Sequence, residues 1–154
     1  MDFLLSVDLG VKTGLAMFSS EGRLLWFRSQ NFGNAARLRK AIPWLLNEEE
    51  DLSHLVIEGG GPLLKIWDAF LEKRNIEVIK TMADNWRHDL LLDREQRRAK
   101  SAKANAVIYA RRVIEKLSDH KATSLNADAA EAIMIGLWAS KKLGWIGNVN
   151  TILR

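Results

Sequence analysis

The sequence predicts an α/β protein built on a five-stranded mixed sheet with flanking helices. Three apolar runs, at residues 3–7, 13–18 and 23–29, are separated only by short polar connections, which is typical of a three-stranded antiparallel meander. Two more apolar runs, at 54–58 and 76–79, each follow a segment with helical character. We therefore expect both to join the sheet as parallel strands through crossover helices.

Four segments are expected to form helices, at residues 35–50, 63–74, 94–118 and 127–142. In the first of these, apolar side chains recur at helical spacing. The last is apolar on nearly all sides, which indicates a buried helix. Residues 81–93 are expected to be irregular or partly helical.

Length and composition favour one globular domain spanning residues 1–154, with 47% hydrophobic and 27% charged residues. The chain has no cysteine, which excludes disulfides, cysteine–zinc sites and thiol nucleophiles. Its net charge of +4 is compatible with a polyanionic partner. We see no signal-peptide pattern and no apolar run of membrane-spanning length, so the default expectation is a cytoplasmic protein without membrane contact.

Two apolar strands end in an acid, the first in Asp8 and the fourth in Glu58. A carboxylate at the end of a central strand is costly to bury unless a cation compensates it. The alternative for Asp8 is a simple turn residue before Gly10. If the two strands are parallel neighbours, their carboxyl ends meet at one edge, where ligands gather in open α/β sheets.

Two further acids, Asp128 and Glu131, lie three residues apart near the start of the last helix and therefore on one face. The alternative is that they complement the positive helix N-terminus. Glu131 lies a turn inside an apolar helix, so capping explains it less well. Together with Asp8 and Glu58 they form a set of oxygen ligands that suits Mg²⁺ or Mn²⁺. Two such ions about 4 Å apart support phosphodiester cleavage.

The helix expected at 94–118 is strongly basic. A solvated helix face is the ordinary explanation of such a charge run. Concentration of positive charge in one element also favours a surface that contacts phosphates. The candidates on this helix are Arg97, Arg98, Lys100, Lys103 and Arg111.

Three segments in order carry a family resemblance. The stretch VDLG at 7–10, with TGLA at 13–16, resembles the opening motif of the RuvC-like Holliday-junction resolvases. The pair IE at 57–58 is similar to their second strand-end acid, and ADAAEA at 127–132 resembles their final helix, where two acids sit three apart among alanines. The resemblance covers nearly the whole chain.

This resemblance implies an RNase H-like fold and a homodimeric, Mg²⁺-dependent endonuclease that resolves four-way DNA junctions by symmetric nicks, in DNA recombination and repair. It implies that the catalytic metal ligands are Asp8, Glu58, Asp128 and Glu131. The family also has two basic residues that contact DNA. Arg87 lies in the region that matches the first, and Lys103 resembles the second.

The chain departs from the family pattern at several positions. Leu9 replaces the usual Pro, and Glu131 replaces the usual Asp. Gly59 begins a glycine run that does not match the family's junction-binding segment. The spacing between Arg87 and Lys103 is longer than in the bacterial family. We therefore expect substrate specificity to differ.

Three tryptophans that look exposed from the sequence are candidates for a dimer interface: Trp67, Trp138 and Trp145. Core packing is the alternative for all three, and it is the favoured interpretation for Trp138.

Two other functions stay open. One is an RNase H-fold nuclease that acts on structured RNA such as a ribosomal RNA precursor. That family shares an opening like the one at Asp8 but typically lacks an acid matching Glu58, so Glu58 favours the resolvase. The other is a non-catalytic nucleic-acid-binding module, which has no obvious use for repelling carboxylates.

Overall fold

The structure is a computed structural model that describes residues 1–96 and 99–154. The side chains of residues 99 and 100 lie outside the described part. In this part the strands are β1 (Phe3–Asp8), β2 (Lys12–Ser19), β3 (Leu24–Asn31), β4 (Leu52–Glu58) and β5 (Glu77–Thr81). The helices are α1 (Ala35–Asn47), α2 (Pro62–Leu71), α3 (Ala83–Leu90), α4 (Asp93–Gln96), α5 (Ala99–Leu117), α6 (Ala127–Lys142) and α7 (Asn150–Leu153).

The strands form one sheet in the order β3-β2-β1-β4-β5. β2 pairs antiparallel with β1 and β3, whereas β4 pairs parallel with β1 and β5. The predicted meander with two parallel crossover strands is thus confirmed. β1 lies at the centre, so its carboxyl end is flanked by strands on both sides.

Helices cover both faces of the sheet. On one face, Leu5 and Leu15 of the sheet pack in a buried cluster with α1 and α2. On the other, Leu4 and Phe18 pack with α5 and α6. Successive side chains of β1 and β2 point to opposite faces of the sheet, because the side chains of a strand alternate with a period of two. Since helices cover both faces, both sets of side chains are buried. This explains why β1 and β2 are apolar at successive positions instead of alternating between apolar and polar residues.

Helix α6 lies very close to the sheet. A Cβ on Gly136 would stand 2.3 Å from Cε2 of Phe18, so a larger residue has no room there. The Ser6 hydroxyl on β1 donates a hydrogen bond of 2.7 Å to the Ala132 carbonyl oxygen. Residues 129–140 of the helix are buried, as its apolar sequence predicts. This close packing fixes where the N-terminus of α6 meets the sheet.

The expectation of exposed tryptophans is wrong for Trp67, which is fully buried between α2 and the sheet. For Trp138, at 6% exposure, the favoured core interpretation is confirmed. Trp145 is half-buried and packs edge-on against His54, with ring centroids 5.1 Å apart. A different tryptophan, Trp44 on α1, is 78% exposed. Trp44 was not among the predicted candidates, although the helical spacing of the buried Leu38, Ile42, Leu45 and Leu46 leaves it on the outer side of α1.

The region after β5 is more ordered than expected, since α3 and α4 occupy most of residues 81–96. The basic helix predicted at 94–118 is helical on both described sides, in α4 and α5, while Arg97 and Arg98 lie outside the described residues. The C-terminal tail, which carries no signal in the sequence, adds α7. Among the described residues, no helix has both the length and the apolar character needed to cross a bilayer.

Candidate metal centre

The carboxyl ends of β1 and β4 bring two predicted site residues together. Asp8 and Glu58 are direct partners in the parallel register of these strands. Their carboxyl groups share a hydrogen bond, and Asp8 is only 9% exposed. The next strand continues this edge, because Glu58 pairs in turn with Thr81 at the end of β5. The register of β1 and β4 therefore brings the two acids to one edge of the sheet, as the sequence predicts.

The N-terminus of α6 reaches the same edge through a glycine. Gly14 pairs with Asp8 across β1 and β2. A Cβ on Gly14 would lie 2.0 Å from the Asp128 carbonyl oxygen and 3.2 Å from Cβ of Asp8. The backbone of Asp128 therefore rests directly on β2 beside Asp8. Only a residue without a side chain permits that approach.

The N-cap of α6 is Asn126, and neither Asp128 nor Glu131 has this role. The side-chain oxygen of Asn126 accepts a hydrogen bond of 3.0 Å from the Ala129 backbone N–H. Asp128 lies in the first turn, where a negative charge interacts favourably with the helix dipole. Glu131 is almost fully buried, one turn further in. Neither acid is needed as the N-cap, which leaves both carboxylates available for another role.

The electrostatics of Asp8 show how closely the acids approach one another. Burial, followed by the charge of Glu131 and the hydrogen bond to Glu58, raises the pKa of Asp8 from an ordinary 3.8 to about 9. The charge of Asp128 acts in the same direction. Burial also raises the pKa of Glu58, while accepting a hydrogen bond from Asp8 and the nearby Arg87 charge oppose the rise. The edge is thus a site of concentrated negative charge that holds a proton in the absence of a cation.

Two basic side chains face the acids of α6. The ammonium of Lys12, the first residue of β2, lies 3.5 Å from Oδ2 of Asp128. Nη2 of Arg87 on α3 lies 2.9 Å from Oε1 of Glu131. Sequence reasoning did not assign a role to Lys12, although its position just after the Asp8 turn was a usable signal. It placed Arg87 among the DNA contacts, whereas its guanidinium here points into the acid cluster.

The donor set fits a hard divalent cation. Asp8, Glu58, Asp128 and Glu131 offer only carboxylate oxygens, which Mg²⁺ and Mn²⁺ prefer. Burial and the neighbouring carboxylates raise the pKa of Asp8, and a cation bound among these groups would oppose that rise. Within residues 1–96 and 99–154, however, no three His, Asp or Glu side chains already stand at metal-binding spacing. The role of these residues as metal ligands stays a prediction.

Of the remaining candidates for nucleic-acid contact, Lys103 and Arg111 lie on the described part of α5. Lys103 and Arg111 are both exposed. Arg111 also donates a hydrogen bond of 2.5 Å from Nη1 to the Ala122 carbonyl oxygen, in the loop before α6. Arg97, Arg98 and the side chain of Lys100 lie outside the described residues. Contact with phosphates stays a prediction for all of them.

The glycine run after β4 shapes the rim of the site. Gly59 has a φ of 129°, and a Cβ there would lie 2.9 Å from Cβ of Leu9. Its backbone N–H donates to the Thr81 carbonyl oxygen at 3.1 Å, which extends the β4–β5 pairing past Glu58. Leu9, which stands where the resolvases have Pro, therefore packs against Gly59 beside the acids.

The raised pKa of Asp8 predicts a particular dependence of stability on pH. Between about pH 4 and pH 9 the folded protein binds more protons than the unfolded chain, so the free energy of unfolding falls as pH rises in this window. For a single proton the slope is at most about 1.4 kcal/mol per pH unit. In EDTA, Asp8→Asn should make this slope shallower and stabilise the protein near pH 8.

Urea unfolding of both proteins between pH 5 and pH 8.5 measures the effect. Asp51→Asn is the control, because Asp51 is exposed and lies just before the amino end of β4, opposite the strand end that carries Glu58. If Asp8→Asn and Asp51→Asn have the same slope of stability against pH, Asp8 does not carry the bound proton.

The strand order and the helices on both faces are those of an RNase H-like α/β fold, as the sequence resemblance implies. The acids lie at the carboxyl ends of its central parallel strands. Among solved structures, the chain is similar to the crystal structure of the yeast mitochondrial Holliday junction resolvase Ydc2. The TM-score is 0.57 at 12% identity, covering 96% of this chain and 83% of that one. No protein-family model matches the sequence, and no curated protein sequence matches it. At this identity the likeness establishes the fold.

Proposed function

We propose that this chain is a metal-dependent endonuclease that cleaves phosphodiester bonds in branched DNA, with four-way junctions as its substrate and Mg²⁺ or Mn²⁺ as its cofactor. The observation that carries the proposal is the pair of buried Asp8 and half-buried Glu58 at the ends of adjacent parallel strands. Glu131 is close enough to raise the pKa of Asp8. The fold that holds this pair is the fold of a structure named as a Holliday junction resolvase.

In this proposal Asp8, Glu58, Asp128 and Glu131 hold the cation. Bound Mg²⁺ would supply Lewis-acid activation of a water and stabilisation of the leaving oxygen. Burial and the charges of the other three acids raise the pKa of Asp8, so its carboxyl group would have to release a proton in order to hold the cation, and metal affinity should rise with pH. The close contact of Gly14 with the Asp128 backbone sets the distance between β2 and α6, and would so orient the ligands before substrate arrives.

A nuclease for structured RNA is the second candidate. Glu58 is the feature that separates the two, because the RNA-processing relatives considered above typically lack a strand-end acid there. In this chain Glu58 shares a hydrogen bond with Asp8 and is directly in register with it. We therefore propose that Glu58 acts with Asp8 on the same cation, which favours the resolvase.

A comparison of substrates tests the proposal. Purified protein is incubated with a four-way DNA junction, a linear duplex of the same sequence and a structured RNA, each with Mg²⁺ and with EDTA. We expect cleavage of the junction in Mg²⁺ well above that of the duplex. Preferential cleavage of RNA would favour the second candidate, and binding of junctions without any cleavage would favour a non-catalytic module.

We also propose a homodimer, because two symmetric nicks in one junction require two active sites. Sedimentation equilibrium of the free protein, and of its complex with one junction, measures the stoichiometry. Two chains per junction are expected. One chain per junction, with a single nick as the final product, would contradict the dimer while leaving the nuclease intact.

The basic helix α5 gives a prediction about binding. If Lys103 contacts a phosphate, Lys103→Ala should reduce the slope of log affinity against log salt by about one unit, since each neutralised phosphate on duplex DNA contributes roughly 0.9. All branched substrates should weaken alike, because phosphate contacts carry no sequence information. The fold should be unaffected, since Lys103 is exposed.

A salt titration on one junction measures the slope. Lys40→Ala is the matched control, because Lys40 is an exposed lysine on α1, across the sheet from α5. Superimposable curves for wild type and Lys103→Ala would remove Lys103 from the DNA-binding surface.

A further inference from the structure

The guanidinium of Arg87 is part of the acid cluster. Its side chain is 16% exposed and that of Glu131 is 11% exposed, and the 2.9 Å ion pair joins Nη2 to Oε1. The same positive charge counteracts the rise in the pKa of Glu58. A surface arginine that binds a phosphate would be more exposed and would not form an ion pair with a buried carboxylate. The position of Arg87 therefore indicates a role within the acid cluster.

Helix α3 holds Arg87 firmly in this place. The preceding residue, Trp86, is fully buried, and the Arg87 guanidinium carbon lies 5.2 Å from the centroid of its ring. About two turns beyond Glu131 along α6, the Trp138 indole N–H donates a hydrogen bond of 2.7 Å to Oδ2 of Asp89 on α3. Among the described residues, two polar side-chain contacts thus join α3 to α6, and one of them is the pair between Arg87 and Glu131.

Glu131 is a side chain that needs such a contact. A glutamate has more rotatable bonds than an aspartate, and ordering a long side chain costs conformational entropy. Arg87 is bonded to one carboxylate oxygen, Oε1. Among the described residues no hydrogen bond is made to the other oxygen, so it is free to accept a cation. Hydrogen bonds from neighbouring groups commonly orient metal-ligating carboxylates in this way.

We propose that Arg87 is a positioning residue, which holds Glu131 by Oε1 so that its second oxygen is oriented to bind the divalent cation. The inference rests on the proposed metal site and adds a residue that acts through a ligand. It differs from a direct contact between Arg87 and DNA, because it predicts an effect on metal binding in the absence of DNA. It also differs from a role in which the positive charge of Arg87 competes with the cation for Glu131. In the proposed role, the guanidinium is fixed by Trp86 and α3 and keeps its place when the cation binds.

Calorimetric titration of the metal-free protein with Mn²⁺, without DNA, tests the proposal. Arg87→Gln should bind Mn²⁺ about 10- to 100-fold more weakly than wild type. Arg23→Gln is the matched control, since Arg23 pairs with exposed Asp119 and should leave the affinity unchanged. Far-UV circular dichroism checks that each variant is folded.

The pair also gives a double variant in which both charges are removed, so that neither is left buried without its partner. In Glu131→Gln the ligand is already lost, so adding Arg87→Gln should change Mn²⁺ affinity by less than about twofold. A further loss or a gain in the double variant would overturn the proposal, and this comparison decides the case if Arg87→Gln alone does not fold.

The single variant has two outcomes that would overturn the proposal. Unchanged affinity in Arg87→Gln would leave Arg87 with at most a DNA contact, and increased affinity would make it a competitor of the cation. In either case wild type still binds Mn²⁺, so the metal site itself survives. If wild type does not bind Mn²⁺, the metal site fails and the positioning role fails with it.

Discussion

The Asp8→Asn variant should lose Mg²⁺-dependent cleavage of a four-way junction, by at least about 100-fold, while it binds the junction as wild type does. Even partners outside the ligand shell typically change metal affinity or activity 10- to 100-fold, and Asp8 lies between the other acids of the site. The amide keeps the shape of the side chain and removes the charge that attracts the cation. Phosphate contacts come from other residues, so binding should persist.

Single-turnover cleavage in Mg²⁺ and junction binding in EDTA measure the two quantities separately. Asp51→Asn serves again as the control, with wild-type cleavage expected. Cleavage by Asp8→Asn within a few-fold of wild type would remove Asp8 from the catalytic site. Loss of binding together with cleavage would indicate a damaged fold, which circular dichroism detects.

The second large effect is expected at Gly14. Gly14→Ala places a methyl group 2.0 Å from the Asp128 carbonyl oxygen, a separation that no real contact tolerates. The backbone of α6 must move away from β2, although Ser6 and Gly136 hold the helix against the sheet further along. Overpacking of this kind costs about 1–3 kcal/mol in stability, and the close backbone contact places Gly14→Ala at the upper end of that range. Metal affinity should fall too, because Asp128 and Glu131 move with the helix.

Gly60→Ala is the control for this substitution. Gly60 lies near the same rim, but a Cβ there meets no atom within 4 Å. We expect stability within about 0.5 kcal/mol of wild type for an exposed site without special contacts. Urea unfolding of the two variants compares them directly. Equal stabilities for Gly14→Ala and Gly60→Ala would mean that α6 does not rest on β2 as described.

Much of the fold could be predicted because its signals are local. Short polar connections between apolar runs indicated the meander, and helical spacing before the runs that became β4 and β5 indicated crossovers. The exposure of tryptophans was harder to predict. Trp67 is fully buried and Trp44 is exposed, and both lie in amphipathic helices. Which face of a helix meets the sheet depends on packing between distant segments, and a single sequence gives that only approximately.

The candidate site could also be predicted from the sequence only in part. Asp8 and Glu58 could be placed together from the sequence, because each ends a strand and parallel neighbours share an edge. The contacts of Arg87 with Glu131 and of Lys12 with Asp128 could not. They join residues far apart in the chain, and no periodicity records such pairs. Gly14 was part of the opening motif, but its physical reason, the approach of α6, became visible only in three dimensions.

The most direct test of the account is to map the products of wild-type protein on a four-way DNA junction labelled on each strand in turn. We predict paired nicks at symmetric positions in two opposing strands in Mg²⁺, and no nicks in EDTA. Cleavage that proceeds equally in EDTA, or a junction left intact in Mg²⁺ by protein that binds it, would contradict the proposal that this acid-lined edge is a metal-dependent nuclease site.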